Sequence, residues 1–260
     1  GELFAVSDDL LSVIRQAQAV SEASGGAYDI TVSPLVDVWG FGANHASADA
    51  PPQLEPPSPE AIAKALAETG FRYLQLQENP PALQKKRWLM LNLNSIAPGF
   101  AADKIAAMLE AQGIHRYLVD VGGELRMAGS NAEGKPWTIG IEDPRGVVPG
   151  MVRQAVQLTN GALATSGNYH HFMESNGVHY SHIIDPRTGM AVSTNLVSVT
   201  VIDTSAAAAD AWATAYSVLG VEATLALSEQ RQQAVYLLVR DGDTLSVKMN
   251  SFMQKLLERA

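Results

Sequence analysis

Cysteine is absent from the 260 residues, which excludes disulfides, thiolate metal sites and cysteine nucleophiles together. Long apolar runs are missing too: none approaches the ~18–20 residues that a membrane-spanning helix needs. Positive charge is scarce. With 18 Lys and Arg against 27 Asp and Glu, the net charge is −9, so no basic field exists to attract nucleic acid or an acidic membrane. A single phosphorylated ligand stays open, because a bound metal ion can reverse the local charge. Gly1-Glu2-Leu3 lacks the basic, apolar and cleavage regions of a leader, as the mature form of a secreted protein would. Several catalytic templates are missing as well. The chain has no Gly-x-Ser-x-Gly elbow, no His-Glu-x-x-His helix and no Walker or Rossmann glycine spacing, so the common hydrolase and zinc-enzyme patterns have no support.

What is present reads as a globular chain: 47% hydrophobic and 17% charged residues can bury a substantial core in one large domain or two small ones. Ser7 caps a helix over Asp8 to Ala23, with acids in its first turn and Gly25-Gly26 after its end. Tyr28 to Val32 reads as a short strand or extended segment, and the Ala-, Pro- and Ser-rich stretch 42–58 as an exposed loop. Ser58-Pro59 opens a second helix that Gly70 closes. A strand near 87–93 leads to a helix over about 99–112. Strands then dominate: Tyr117 to Val121, Glu124 to Ala128, Trp137 to Ile141, Val152 to Leu158, His179 to Ile184 and Leu196 to Ile202, with Asn160-Gly161 as a hairpin signal. An alanine-rich helix from Ser205 to Leu219, a helix over 221–231, a hairpin across Asp241-Gly242 and a short terminal helix complete the chain. Hairpin series without regular βαβ alternation predict an α+β fold with largely antiparallel sheets and packed helices.

Three groups of residues could carry chemistry. On the alanine-rich helix, Asp210 and Thr214 are four apart and share a face. Two hard oxygens flanked by small alanines suit Mg²⁺ or Ca²⁺ better than zinc, and leave room for water and phosphate oxygens. The ordinary alternative is a solvent-exposed Asp beside a Thr bonded back to its own helix. His182 sits at a strand end before the turn Asp185-Pro186-Arg187-Thr188-Gly189, a place where loops carry function, and its titration range suits proton transfer; the alternative is a histidine that bonds the turn backbone. His170, His171 and His179 read as surface residues. Asp120-Val121-Gly122-Gly123-Glu124 and Ala164-Thr165-Ser166-Gly167 read as small-residue turns able to offer backbone N–H groups to phosphate or ring oxygens.

In this order the segments resemble the FAD:protein FMN transferase (ApbE) family. The stretches that carry the likeness begin with Gly26-Ala27-Tyr28-Asp29-Ile30-Thr31-Val32 with Pro34-Leu35-Val36, then Trp39-Gly40-Phe41-Gly42. Ser95-Ile96-Ala97-Pro98-Gly99-Phe100-Ala101-Ala102-Asp103 and Asp120 to Glu124 follow. Ala164 to Gly167, Ser181-His182-Ile183-Ile184-Asp185-Pro186 with Thr188-Gly189, and the Asp210 helix complete the set. The resemblance covers nearly the whole chain. It implies one flavin transferase domain over 1–260, T-fold-like, without the additional N-terminal strands and aromatic flavin contacts that relatives carry ahead of the Ser7 helix.

The implied activity is Mg²⁺-dependent transfer of FMN from FAD to a Thr or Ser hydroxyl of a partner protein bearing a Ser/Thr-Gly-Ala-Ser/Thr-type motif, with release of AMP. The resemblance places the metal on Asp210, Thr214 and the Ser95 carbonyl, the flavin on Ala27, Tyr28, Asp29, Asn92, Pro98 and Ile184, and the base at His182. Asn92 stands where many relatives have Asp, and Pro98, which has no N–H to offer, where they have Lys or Glu. Alternatives left open are an FAD pyrophosphatase giving FMN and AMP, and a flavin-binding protein without turnover. The resemblance also implies the bacterial periplasm or cell envelope, with a lipid anchor in the full-length protein.

Overall fold

The computed structural model describes residues 3–42, 55–143, 151–167, 172–175, 178–242 and 244–258. The chain divides into two compact units. The first comprises residues 1–94 and 170–193, the second 95–169 and 194–260. Among the described residues no helix is long and apolar enough to cross a membrane.

In the first unit, strand β1 (Leu3–Ala5) precedes helix α1 (Asp8–Ala23). Ser7 accepts from the Leu10 N–H and caps α1 as its sequence predicts, and Leu11, Ile14, Ala17 and Val20 line the buried stripe. Short α2 (Ser33–Val38) and α3 (Pro59–Ala67, capped by Ser58) follow, then β2 (Leu74–Gln77) and β3 (Ala82–Lys85). β1, β3 and β2 form an antiparallel sheet in that order. Later in the chain β9 (Phe172–Ser175) and β10 (Val178–Ser181) pair as a hairpin. Leu35, Trp39, Ile62, Ala65, Met173 and Ile184 make one core cluster.

Three expectations for this unit change. Tyr28 to Val32 joins no sheet. The Asp29 carboxylate accepts from the Thr31 N–H at 2.8 Å, the Thr31 hydroxyl at 2.7 Å and the Phe71 N–H at 2.8 Å, while the Thr31 Oγ1 accepts from the Gly70 N–H at 2.7 Å. A side chain that bonds its own backbone two residues on turns the chain instead of extending it. The strand expected near 87–93 is also absent; residues 74–77 and 82–85 supply the strands, and the Asn92 N–H donates to the Ile30 carbonyl at 2.6 Å. The expected strand from His179 to Ile184 stops at Ser181, with Ile184 forming an isolated bridge to Ala191.

The second unit is built on a six-stranded sheet, all antiparallel, in the order β13-β12-β11-β8-β5-β4. Its strands are β4 (Tyr117–Val121), β5 (Glu124–Ala128), β8 (Gly161–Gly167), β11 (Leu196–Asp203), β12 (Ala234–Asp241) and β13 (Thr244–Met249). The central strands are buried on both faces, as near-continuous apolar runs require. On one face Leu125, Met127, Leu163, Tyr236 and Leu238 pack with Ile139, Ile141, Val156 and Leu158 of the hairpin β6 (Trp137–Glu142) and β7 (Val152–Leu158), and with Met253 of α7 (Ser251–Leu257). Helices α4 (Ala97–Ala111) and α5 (Ala206–Leu219) cover the strands on the side of Tyr117, Val119 and Ala162. α6 (Val221–Gln230) lies beside β12.

Two turn expectations fail here for a shared reason. Asn160-Gly161 does not close a hairpin: β7 pairs with β6, whereas β8 pairs with β5 and β11. Ala164 to Gly167 is not a turn but part of β8, with Thr165 Oγ1 and Thr200 Oγ1 2.8 Å apart across the β8–β11 pair. Both are small-residue segments whose pairing partners lie far along the chain. The 42–58 loop falls mostly, and His170 and His171 fall entirely, outside the described residues.

Removing the Asp29 carboxylate strands three donors from two distant segments. Asp29→Ala should therefore cost about 2–4 kcal/mol of stability, measured by urea unfolding. A loss below about 0.5 kcal/mol would show that the turn does not depend on this side chain.

Candidate functional site

α5 begins after Ser205, whose hydroxyl accepts from the Ala208 N–H, and its sequence Ala-Ala-Ala-Ala-Asp-Ala-Trp-Ala-Thr-Ala combines the strongest helix former with few bulky groups. Eleven of its fourteen residues are buried, Asp210 among them at 8% exposure. The reading of Asp210 as an exposed helix acid therefore fails. The small alanines do what their size allows: α4 comes in so close that a Cβ on Gly99 would lie 2.3 Å from the Ala206 carbonyl oxygen and 2.8 Å from the Ala207 Cα. Glycine is the residue that tolerates such backbone approach.

The two helices run antiparallel in a simple register. The Gly99 N–H donates to Asp210 Oδ2 at 3.3 Å. Four residues further along α4, the Asp103 carboxylate accepts from the Ala206 N–H at 2.9 Å, four residues back along α5. The same four-residue step in the other direction leads from Gly99 to Ser95, in the turn before α4, and from Asp210 to Thr214. Thr214 is half-buried on a largely buried helix. Among the described residues its hydroxyl makes no bond back to the Asp210 carbonyl, although Ser217 does so to Ala213. The second half of the ordinary alternative is thereby excluded too.

Electrostatics single out the same carboxylate. Burial first, then the Glu124 carboxylate, push the Asp210 carboxyl up to about 7, while the Gly99 N–H pulls it down. Glu124 is itself raised, by burial and by Asp120, with its backbone hydrogen bond opposing. It begins β5 after the Gly122-Gly123 turn, where both glycines have positive φ (70° and 106°) and the Gly123 N–H donates to Asp120 Oδ1 at 2.9 Å. A buried carboxylate facing a second acid is stabilised in its charged form by a cation. The donor set suits a small hard ion: one carboxylate, one hydroxyl and the carbonyl of a nearby turn, all oxygen. Among the described residues no three His, Cys, Asp or Glu side chains cluster as metal ligands.

The remaining candidates belong to the first unit, apart from Pro98, the second residue of α4. Ala27, Tyr28, Asp29 and Ile184 are buried at 1%, 2%, 7% and 4% exposure. The Asp29 carboxylate is engaged in its turn, where burial raises its pKa against the pull of the Thr31 and Phe71 hydrogen bonds. Asn92 is half-buried and its Oδ1 accepts from the Asn94 N–H at 2.9 Å. His182 is half-buried and meets the Phe41 ring edge-on, centroids 6.4 Å apart. It lies between the β9–β10 hairpin and the Asp185 turn, in which the Gly189 N–H donates to the Asp185 carbonyl and Arg187 pairs with the Asp185 carboxylate at 2.8 Å. The Trp39 indole N–H donates to the Gly189 carbonyl at 2.8 Å and fixes the far side of that turn. Asp103 and Glu124 stand in motif stretches, but spacing alone assigns them no role.

Comparison with known proteins identifies relatives over nearly the whole chain. The model of the ApbE family matches residues 1–238. The FAD:protein FMN transferase of Vibrio cholerae is 38% identical over 258 residues, covering 99% of this chain and 75% of that protein. The FAD:protein FMN transferase of Escherichia coli K12 is 37% identical over 258 residues, 97% of this chain and 71% of that one. The apo crystal structure of the Pseudomonas stutzeri flavinyl transferase ApbE superimposes with a TM-score of 0.87 at 35% identity, covering 99% of this chain and 77% of that chain. Among these relatives the α+β, antiparallel architecture is shared.

Because Asp210 carries a raised folded-state pKa, it favours the folded state below its unfolded value near 4, and that contribution is lost as pH rises through about 7. Metal-free protein should lose on the order of 3 kcal/mol over this window, seen as a falling melting temperature that Asp210→Asn flattens. Mg²⁺ added at pH 8 should restore the wild type and leave the variant unmoved. Superimposable pH profiles for the two proteins would refute the burial argument.

Proposed function

The chain belongs to the ApbE family, and from that premise we propose that it is an FAD:protein FMN transferase that uses a Mg²⁺-dependent site on α5. The observation that supports this most is the buried Asp210 carboxylate held by Gly99, with the Thr214 hydroxyl one turn on, in a chain related to such transferases over nearly its whole length.

In this reading Asp210, Thr214 and the Ser95 carbonyl would hold a Mg²⁺ ion, which when bound would offset negative charge on the pyrophosphate and on the departing phosphate. The acceptor Thr or Ser oxygen forms a bond to the FMN phosphorus. The bond from that phosphorus to the bridging oxygen breaks, and its electron pair leaves with AMP. The hydroxyl proton passes to His182 Nε2 or Nδ1, whichever nitrogen is unprotonated. The edge contact with Phe41 and the tight Asp185 turn limit the imidazole's freedom, which favours catalysis by orientation.

Flavin contacts are assigned to Ala27, Tyr28, Asp29, Asn92, Pro98 and Ile184. The Asp29 carboxylate acts through the turn it shapes, since its oxygens are already engaged. Asn92 offers an amide N–H₂ where an acid would repel phosphate, and Pro98 offers its ring and carbonyl. The acceptor is a protein with a Ser/Thr-Gly-Ala-Ser/Thr-type motif, and the same reading locates the enzyme in the bacterial periplasm or cell envelope.

Incubation with FAD, Mg²⁺ and a peptide carrying that motif should yield flavinylated peptide and AMP in equal amounts, read by mass spectrometry. AMP formed equally fast without peptide would identify a pyrophosphatase, and FAD bound without product a non-catalytic binder. Asp210→Ala should lower transfer by about a thousandfold with its fold retained by circular dichroism. His182→Ala should slow transfer by about a hundredfold and change FAD affinity much less; equal losses in both would count against a role as base.

A further inference from the structure

Asp103 touches no candidate ligand, yet it ties the leading end of α5 to α4. Its Oδ2 accepts from the Ser205 hydroxyl at 2.8 Å and the Ala207 N–H at 3.0 Å, and its Oδ1 from the Ala206 N–H at 2.9 Å. The first N–H groups of a helix have no partner within it. Here Ser205 takes one, Ala208 N–H, and Asp103 takes the two before it. Arg126 of β5 lies against the same carboxylate, Nε to Oδ1 3.4 Å, and also donates to the Met127 and Gly161 carbonyls. The carboxylate is thus fixed to α4 by its own backbone, to the sheet through Arg126 and to α5 by three bonds.

We propose that Asp103 is the positioning residue of the metal site: it sets the register of α5 against α4 and so the distance at which Asp210 and Thr214 face the Ser95–Gly99 turn. This rests on the metal reading given above. The geometry decides why one side chain matters. Polar links at two points four residues apart, Gly99 to Asp210 and Asp103 to Ala206, prevent both sliding and pivoting. With Asp103 gone, the seam loses one of these two links and keeps the Gly99 bond. A helix slipping by one residue moves about 1.5 Å, and Mg²⁺ demands oxygens near 2.0–2.1 Å in near-octahedral array, so a small fraction of that slip removes a ligand. At the crossing with Gly99, α5 presents Ala206 and Ala207, whose methyl groups interlock little with α4.

The test is Mn²⁺ binding, followed by the electron paramagnetic resonance of free Mn²⁺ in titrations of the full chain with and without FAD. Asp103→Asn should weaken Mn²⁺ binding about tenfold or more, and Ser205→Ala, which deletes one of the three bonds, about threefold. The Mg²⁺ concentration for half-maximal transfer should rise in step, while the rate at saturating Mg²⁺ recovers. Asn250→Ala removes a comparable buried cap remote from the seam, where Asn250 accepts from Met253 N–H and donates to the Ser228 hydroxyl and the Gln233 carbonyl. It should lower the melting temperature similarly and leave Mn²⁺ affinity unchanged. Wild-type affinity in Ser205→Ala together with either wild-type affinity or failure to fold in Asp103→Asn overturns the proposal, as does equal weakening by Asn250→Ala. Absence of Mn²⁺ binding in the wild type, with FAD present, sinks the metal reading and this proposal with it.

Discussion

The hydrogen bond from Gly99 to Asp210 exists because one residue on α4 lacks a side chain. At that crossing a methyl group would sit 2.3 Å from the Ala206 carbonyl oxygen, forcing α4 away and leaving the Asp210 carboxylate buried with neither a donor nor a cation. A carboxylate in that condition takes up a proton and ceases to be a ligand. Close approach, charge on Asp210 and the chemistry assigned to it are therefore one constraint, and the alanines of α5 are its other half. The sheet beneath supplies the rigidity, with β8 and β11 buried under α5.

Much of this was legible in the residues. Caps wrote the helix starts: Ser7, Ser58 and Ser205 each accept from the N–H three residues on. The second half of the chain alternates clearly enough that β4 to β7 and β11 to β13 fall where periodicity puts them. The ordered motifs carried the family. Spacing alone put Asp210 and Thr214 on one face but not in the interior, since an alanine helix carries almost no amphipathic signal to say which side is wet.

The failures are all non-local. Tyr28 to Val32 alternates like a strand, but Asp29 turns it by accepting from Thr31, and the Gly70 and Phe71 N–H groups that hold the turn come from some forty residues away. Asn160-Gly161 has the chemistry of a hairpin turn, yet its flanking strands find partners in different sheets, and turn propensity is a weak term beside a buried ladder. Asp103 stands in a motif whose spacing shows no role for it, because its partners are the backbone N–H groups of another helix, more than a hundred positions on. Backbone donors carry no residue code, so no pattern of side chains announces them.

α5 has almost no face in water, and its amides belong to the most protected part of the second unit. Local opening that spares the rest of a fold needs a segment with few buried contacts, and this helix is the opposite. Asp210 and Thr214, the positions proposed to hold the ion, share their lifetime with the core itself, so slow hydrogen exchange along the helix would report how long the arrangement persists. An enzyme arranged in this way loses its site when it unfolds and not by gradual fraying.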